Sequence, residues 1–143
     1  MENEIKKENK NIGHIYEVMG PVVDVIFGHE NLPNINDALT IDIGNKKLFL
    51  EVAQVIGDDI VRCISMGDTG GLKRNMEVVN TNSPITVPVG KAVLGRMFNV
   101  IGQPIDGQPD VPQGTPRESI HRPAPSFQDQ IASEEIFETG IKV

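Results

Sequence analysis

Apolar and polar side chains alternate in short runs between residues 12 and 89. The runs are rich in β-branched and aromatic residues, turn signals separate them roughly every 8–12 residues, and none repeats with the helical period. In order they read HIYEVM, VVDVIF, ALTIDI, KLFLEVAQVI, IVRCISM and MEVVNT, with PITVPV as a last extended piece. This pattern predicts six short antiparallel strands.

A sheet of this size is expected to close on itself, because a closed barrel has no unpaired strand edges. Gly20 and Gly57 fall between runs and are predicted at the corners of the barrel. Residues 28–36 and 67–76 are polar or glycine-rich and are predicted as loops. The fold class is therefore mainly β, with a six-stranded closed antiparallel β-barrel.

Residues 84–127 differ from the preceding part, because they hold eight of the ten prolines in the chain. Proline fixes φ and lacks a backbone donor, so neither a helix nor a central strand suits most of this stretch. Its apolar side chains are too numerous to leave in water at roughly 25 cal/mol per Å². They are Val87, Val89, Val93, Leu94, Met97, Phe98, Val100, Ile101 and Ile105. The stretch is expected to be an ordered, extended crossing that packs on both of its neighbours.

The chain divides into three predicted regions. Residues 1–11 have mixed charges and little apolar surface, which predicts a mobile tail. Residues 12–88 form the predicted barrel. Residues 89–143 have too little apolar surface for a core of their own and are interpreted as the incomplete start of a second domain.

Local patterns within this last region are weaker. Four apolar side chains are spaced for one face of a short helix, followed by a strand over residues 97–101. These four are Ala92, Val93, Met97 and Val100. Asp106-Gly107 predicts a turn, and residues 127–140 are compatible with a short helical or extended stretch that ends at Gly140.

Charge and composition restrict the classes of partner. The formal net charge is −7, and residues 12–88 contain ten acidic against five basic residues, which disfavours a nucleic-acid partner. No run approaches the roughly 20 apolar residues that cross a bilayer, and the first residues lack a signal-peptide core. A cytosolic location without direct membrane insertion is expected. The single cysteine, Cys63, lies in an alternating run and is predicted to be a buried structural side chain.

None of the glycines begins a phosphate-binding loop. The G-x-x-x-x-G-K-S/T pattern places backbone amides, a lysine and a hydroxyl on phosphate and magnesium. Gly90-Lys91 is the one Gly-Lys pair, but Ile85 stands where the first glycine belongs and Ala92 where the hydroxyl belongs. The glycines of residues 67–71 also lack the dinucleotide-binding spacing.

Other candidate groups are scattered along the sequence. His14 and His29 are predicted as surface or loop residues, and His121 as a structural hydrogen-bonding residue. Asp58-Asp59 is predicted as a hairpin turn and Glu134-Glu135 as a helix face. We therefore predict no catalytic, cofactor-binding or metal-binding residue in this chain.

The order of several short motifs is more specific than any one of them. They are GPVVDVIF, NDALTI, LEVAQVIGDDIVRCISM, GLKRNMEVVNTNSPITVPVGKAVLGRMFNVIGQPIDG, IHRPAPSF and ETGIKV. From Ile12 to Val143 this series closely resembles the beginning of the beta subunit of F-type ATP synthases. Two departures, Asn75 in place of a usual glycine and the order of SMGDTGG, fall in a loop.

The resemblance implies a crown barrel that joins alternating alpha and beta subunits, followed by the start of an α/β P-loop nucleotide-binding domain. The parent enzyme would make ATP from ADP and phosphate by rotary catalysis, driven by a proton or other ion gradient. The resemblance also implies a peripheral location on the cytoplasmic face of the bacterial membrane, with alpha, gamma, delta and epsilon subunits and a membrane ion-translocating sector as partners. ATP or ADP and magnesium would bind only in the complete subunit, since the phosphate loop of the family follows the position where this chain ends.

Two alternatives are also compatible with the sequence. The alpha subunit and the vacuolar, archaeal and flagellar-export ATPases share the P-V-G, L-G-R and G-x-P-x-D frame, although IHRPAPSF and LEVAQVIGDDIVR favour the catalytic beta type. A barrel that binds single-stranded nucleic acid is the second alternative. Such barrels use basic grooves and stacking aromatics, whereas this one is acidic and offers only Tyr16, Phe27 and Phe49.

Overall fold

Six strands form a closed antiparallel barrel in the order β1-β2-β5-β4-β3-β6, as the alternating pattern predicts. The computed structural model describes residues 11–130 and Ile136. The barrel strands are β1 (Ile12–Met19), β2 (Val22–Ile26), β3 (Asp37–Ile43), β4 (Lys46–Gly57), β5 (Ile60–Ser65) and β6 (Glu77–Pro84). Pairing of β1 with β6 closes the sheet through Ile12–Val79, Gly13–Val78 and His14–Glu77.

Inward-pointing side chains of all six strands fill the barrel. Because successive residues of a strand point to opposite faces, each run contributes about every second side chain to this core. The core consists of Ile15, Val23, Val25, Phe27, Leu39, Ile41, Leu48, Leu50, Val52, Val61, Cys63 and Val78. Burial of this apolar surface is the main source of the barrel's stability.

The corners of the barrel follow the turn signals of the sequence. Gly20 lies in the turn between β1 and β2, and Gly57 ends β4 just before the left-handed residues Asp58 and Asp59. Both corner predictions and the hairpin turn are therefore confirmed. Gly13 has a different role. A Cβ there would lie 2.8 Å from the ring of Phe27, so only glycine lets β1 approach β2 this closely.

The chain beyond the barrel contains little of the predicted secondary structure. A 3₁₀ turn at Lys91–Val93 replaces the short helix, and residues 97–101 form no strand, only an isolated bridge between Phe98 and Pro104. Gly95 has φ +69°, a left-handed conformation in which a helix cannot continue. Both local predictions were therefore wrong.

Two short strands hold this region together. β7 (Thr86–Pro88) pairs antiparallel with β8 (Arg117–Ser119). The pairing joins residues that are far apart in the sequence, which the local pattern could not indicate. We call residues 85–122 the crossing segment.

The crossing segment covers fewer of its apolar side chains than the sequence predicts. Five are half-buried, as expected: Val87, Val89, Val93, Phe98 and Ile101. Four others are between 56% and 70% exposed, so their expected burial was wrong: Leu94, Met97, Val100 and Ile105. A charged pair, described below, organises the loop that carries these four.

Some sequence predictions fall outside the described residues. The predicted mobile tail over residues 1–11 lies there except for Asn11, and so does Glu134-Glu135. Of the predicted stretch over residues 127–140, the structure describes a 3₁₀ turn at Phe127–Asp129 and the exposed Ile136. Within the described residues, no helix is long and apolar enough to span a membrane.

Candidate functional site: the outer face of the barrel and its seam with the crossing segment

The two histidines and the cysteine of the barrel, which are candidates for chemistry in the sequence, do not form a common site. His14 is exposed on β1, and His29 lies in a 3₁₀ turn before β3, where its Nδ1 is 2.7 Å from Asp59 Oδ1. Cys63 is fully buried, and burial raises the pKa of its thiol to about 12. The predicted burial of Cys63 is confirmed, and the thiolate needed for chemistry does not form near neutral pH.

The Gly90-Lys91 pair does not form a phosphate cradle. Lys91 begins a 3₁₀ turn of three residues that ends at Val93. In the part of the chain that the structure describes, no three side chains of the histidine, cysteine, aspartate or glutamate type gather where they could hold a metal ion. That the whole chain lacks catalytic, cofactor and metal residues stays a prediction.

A bidentate charged pair, Asp24–Arg62, lies at the centre of a surface made by β1, β2 and β5. Val23 and Val25 point into the core, so Asp24 points outward. Its carboxylate accepts two hydrogen bonds from Arg62, at 2.9 Å from Nε and 2.8 Å from Nη2. Asp24 is nevertheless only 4% exposed, while Arg62 is 39% exposed. The hydrogen bond to Asp24 raises the pKa of Arg62 further above its usual value.

Apolar side chains flank this pair on the neighbouring strands. The strand register places Val22 beside Ile64 and Ile26 beside Ile60, on either side of the Asp24–Arg62 rung. Five large hydrophobic residues of these three strands are exposed: Ile12, Tyr16, Met19, Ile26 and Ile64. An exposed apolar surface around a well-bonded arginine is typical of protein interfaces, where arginine is enriched. The exposed Glu17, opposite Asp24 on β1, adds one further charge to this surface. We call these outward residues of β1, β2 and β5 the outer face.

Another side of the barrel, formed by β3 and β4, faces the crossing segment. Phe49 points outward from β4, between the core residues Leu48 and Leu50, and is half-buried. Between this side of the barrel and the crossing segment lies a cleft of about 290 Å³, lined in part by Ala38, Phe49, Ile85, Ile101, Gly102 and Arg117. The barrel and the crossing segment are therefore closely packed along only part of the seam between them.

Gly102 and Arg117 shape the crossing segment at this cleft. A Cβ on Gly102 would lie 2.6 Å from Pro88 Cδ, and its φ is +71°, so a larger residue is excluded twice. Arg117 donates from Nη2 to the carbonyls of Thr86 at 2.7 Å and Ile101 at 3.3 Å, and from Nε to the Thr86 hydroxyl at 3.2 Å. The guanidinium thus ties three parts of the segment together.

His121 connects the crossing segment to the barrel. Its Nε2 lies 2.9 Å from Oε2 of Glu51 on β4, a hydrogen bond in which the imidazole donates to the carboxylate. His121 therefore makes the structural hydrogen bond predicted for it. Its partner lies 70 positions earlier and could not be identified from the sequence.

Arg96 and Asp106 organise the loop that carries the exposed apolar residues. Arg96 donates from Nε to Asp106 Oδ2 at 2.5 Å and from Nη2 to Oδ1 at 3.1 Å. The amides of Met97 and Gln108 also donate to this carboxylate. The hydrogen bond from Arg96 holds the pKa of Asp106 well below its usual range, although partial desolvation opposes the shift.

Sequence reasoning missed most of these residues. It assigned no contact to Asp24, Arg62 or Glu51, and it named Arg96 and Asp106 only as members of the L-G-R and G-x-P-x-D motifs and of a predicted turn. Asp24 had a usable signal, since an acidic residue between four apolar neighbours in a strand needs a charged or hydrogen-bonding partner. Arg62 and Glu51 carried no comparable local signal, and the motifs that contain Arg96 and Asp106 did not show that these two residues pair.

A comparison with protein families agrees with the barrel geometry. Residues 15–82 match the model described as ATP synthase alpha/beta family, beta-barrel domain. The matched residues include β2 to β5 in full and most of β1 and β6.

Proposed function

We propose that this chain is the N-terminal part of the catalytic beta subunit of an F-type ATP synthase, because residues 15–82 match the beta-barrel domain of the ATP synthase alpha/beta family. The complete subunit would make ATP from ADP and phosphate by rotary catalysis driven by a transmembrane proton or other ion gradient. In this proposal the barrel holds alpha and beta subunits together in a ring, and the chain itself performs no chemistry.

The observation that carries the proposal is the closed barrel with an apolar outer face centred on Asp24–Arg62. A barrel has no free strand edges through which to associate, so its partners must dock on side chains. The outer face offers apolar groups around a charge pair whose hydrogen bonds are already made. The Asp24–Arg62 pair can therefore be buried without leaving either of its own charges unpaired, which would otherwise be costly.

Two motifs support the beta type over its relatives. IHRPAPSF and LEVAQVIGDDIVR resemble catalytic beta subunits more than alpha, vacuolar, archaeal or flagellar-export subunits. On this basis residues 89–143 are the start of the nucleotide-binding domain. ATP or ADP and magnesium would then be bound by the complete subunit, beyond these residues.

The proposal also specifies the surroundings of the subunit. It would alternate with alpha subunits, contact the gamma, delta and epsilon subunits, and be coupled to the membrane ion-translocating sector. It would reside peripherally on the cytoplasmic face of a bacterial membrane. The excess of acidic residues on the barrel supports a protein rather than a nucleic-acid partner.

Assembly with an alpha subunit tests this function. The 143-residue chain is mixed with a purified bacterial ATP synthase alpha subunit and examined by size-exclusion chromatography and native mass spectrometry. We expect co-elution, and we expect Ile64→Asn to weaken it about tenfold or more, because Ile64 lies exposed on the outer face. Ile105→Asn, the same change at an exposed residue of the crossing segment, is the matched control.

Two outcomes would contradict the proposal. One is absence of any complex with the alpha subunit while a vacuolar, archaeal or export ATPase subunit does bind. The other is an equal effect of Ile64→Asn and Ile105→Asn, which would show that the outer face is not the surface that assembles.

A further inference from the structure

The crossing segment is a unit held together by its own contacts. Its strands β7 and β8 pair with each other, the Val89 amide donates to the Pro116 carbonyl at 2.8 Å, and the Ile120 amide donates to the Ile85 carbonyl at 3.1 Å. Arg117 adds hydrogen bonds to carbonyls of the same segment. All of these bonds begin and end within residues 85–122.

Contacts between this unit and the barrel are of a different kind. The last barrel strand ends at Pro84, and the crossing segment continues directly from it. Part of the seam is an unfilled cleft of about 290 Å³ beside Phe49, where close packing cannot contribute its usual dispersion energy. Among the described residues, one side-chain hydrogen bond joins the barrel to the chain after Pro84, and it is the bond between His121 and Glu51. The seam therefore depends strongly on this polar contact.

The two partners of this contact are well placed to hold the seam. Glu51 lies on β4 between the core residues Leu50 and Val52, so its backbone is fixed by the barrel. Its side chain is only 16% exposed, with His121 against it. A hydrogen bond to a carboxylate shielded in this way contributes more than one in open water.

We propose that Glu51–His121 is a latch that keeps the crossing segment closed against β4. When the latch is broken, the segment separates from the barrel as a unit, its internal hydrogen bonds remain, and the cleft beside Phe49 opens to solvent. The barrel keeps its own core, because Phe49 and Glu51 both point away from it.

Hydroxyl-radical footprinting of three phenylalanines in the full 143-residue chain tests this latch. Phe49 reports the seam, Phe27 reports the barrel core, and Phe127, which is 89% exposed, gives the reactivity of an open ring. In His121→Ala we expect Phe49 labelling to rise about threefold or more, toward that of Phe127, with Phe27 unchanged.

Three further variants separate a latch from simple loss of a side chain. His121→Gln keeps a donor for Glu51 and should restore low labelling of Phe49. Glu51→Ala combined with His121→Ala should open the seam no further than the more open of the two single variants, because both remove the same contact. His29→Ala removes a comparable histidine–carboxylate pair, with Asp59, that is not part of the seam and should leave Phe49 unchanged.

The proposal is overturned if Phe49 labelling in His121→Ala stays at the unmodified level. It is also overturned if Phe27 labelling rises together with that of Phe49, since the seam and the barrel would then open as one unit. Failure of His121→Gln to restore protection would overturn it as well, because the effect would then come from packing of the imidazole rather than from its hydrogen bond.

Discussion

Individual residues of this protein act mainly by where the barrel places them. Cys63 is a thiol without access to solvent, and Asp24 is an outward carboxylate that Arg62 nevertheless covers. In both cases burial decides the chemistry. It suppresses ionisation of the thiol, and it requires a partner for the carboxylate.

The core residue Leu50 provides a test at this scale. It is fully buried on β4, so Leu50→Ala should lower the free energy of unfolding by about 2–5 kcal/mol through lost transfer energy and the cavity left behind. Leu94→Ala, the same change at a side chain 70% exposed, should stay within about 0.5 kcal/mol. Urea denaturation measures both, and equal losses would contradict the assignment of Leu50 to the core.

At the scale of elements, the barrel strands are specified by local sequence pattern, whereas the crossing segment is specified by contacts among its own residues. Strands of the barrel follow the local alternation, and their predicted positions were confirmed. The loop that carries Leu94 and Ile105 is instead built on the pair Arg96–Asp106, with apolar groups exposed around it. The number of apolar residues could not reveal that the side chains of the charged pair are mostly buried and the apolar side chains are exposed. The number alone does not say which side chains point inward.

The pH dependence of this loop follows from Asp106. Its pKa is lowered in the folded protein, so its contribution to stability is present above the unfolded value of about 3.9 and is lost as the pH falls toward the lower folded value. The amides of Met97 and Gln108, which donate to Asp106, should therefore shift in NMR spectra only at pH values below about 4.

Asp106→Asn should remove most of that low-pH change and loosen the loop already at neutral pH. Asp42→Asn, at an exposed carboxylate that only approaches Lys47, is the control and should leave the Met97 and Gln108 amides as they are. A titration of these two amides near pH 4 or above in the unmodified chain would contradict the lowered pKa, since about 3.9 is the value of an unperturbed aspartate.

The whole molecule combines an all-β barrel with a segment fastened along β4, leaving the outer face on another side. The family match reaches from β1 into β6, and the proposed role in holding subunits together is based on it. At Gly90-Lys91, where the sequence came closest to a phosphate-binding loop, the chain makes only a short 3₁₀ turn. The barrel and the chemistry of the proposed parent enzyme are thus expected in different parts of the subunit.

Nucleotide titration tests this division of labour. We expect the 143-residue chain to give no binding heat with Mg-ATP in isothermal titration calorimetry and no ATP hydrolysis, because the groups that hold phosphate are proposed to lie in the rest of the subunit. A complete ATP synthase beta subunit in the same buffer is the positive control. A dissociation constant on the order of micromolar for the chain alone would contradict the proposal.

The sequence by itself determined the barrel. A side-chain period of two sets which residues face inward, turn residues set where strands reverse, and a small sheet that must bury one face closes to remove its edges. The same alternation determined that Cys63 is buried. These features are local, so they can be inferred from neighbouring residues alone.

Only the tertiary structure decided which distant groups meet. Asp24 pairs with Arg62, Glu51 with His121, and β7 with β8, across separations of about 30 to 70 residues. Local patterns carry the periodicity of one element, whereas these contacts depend on how strands are ordered around the barrel and where the chain leaves it. For the same reason, the exposure of Leu94 became evident only from the folded loop.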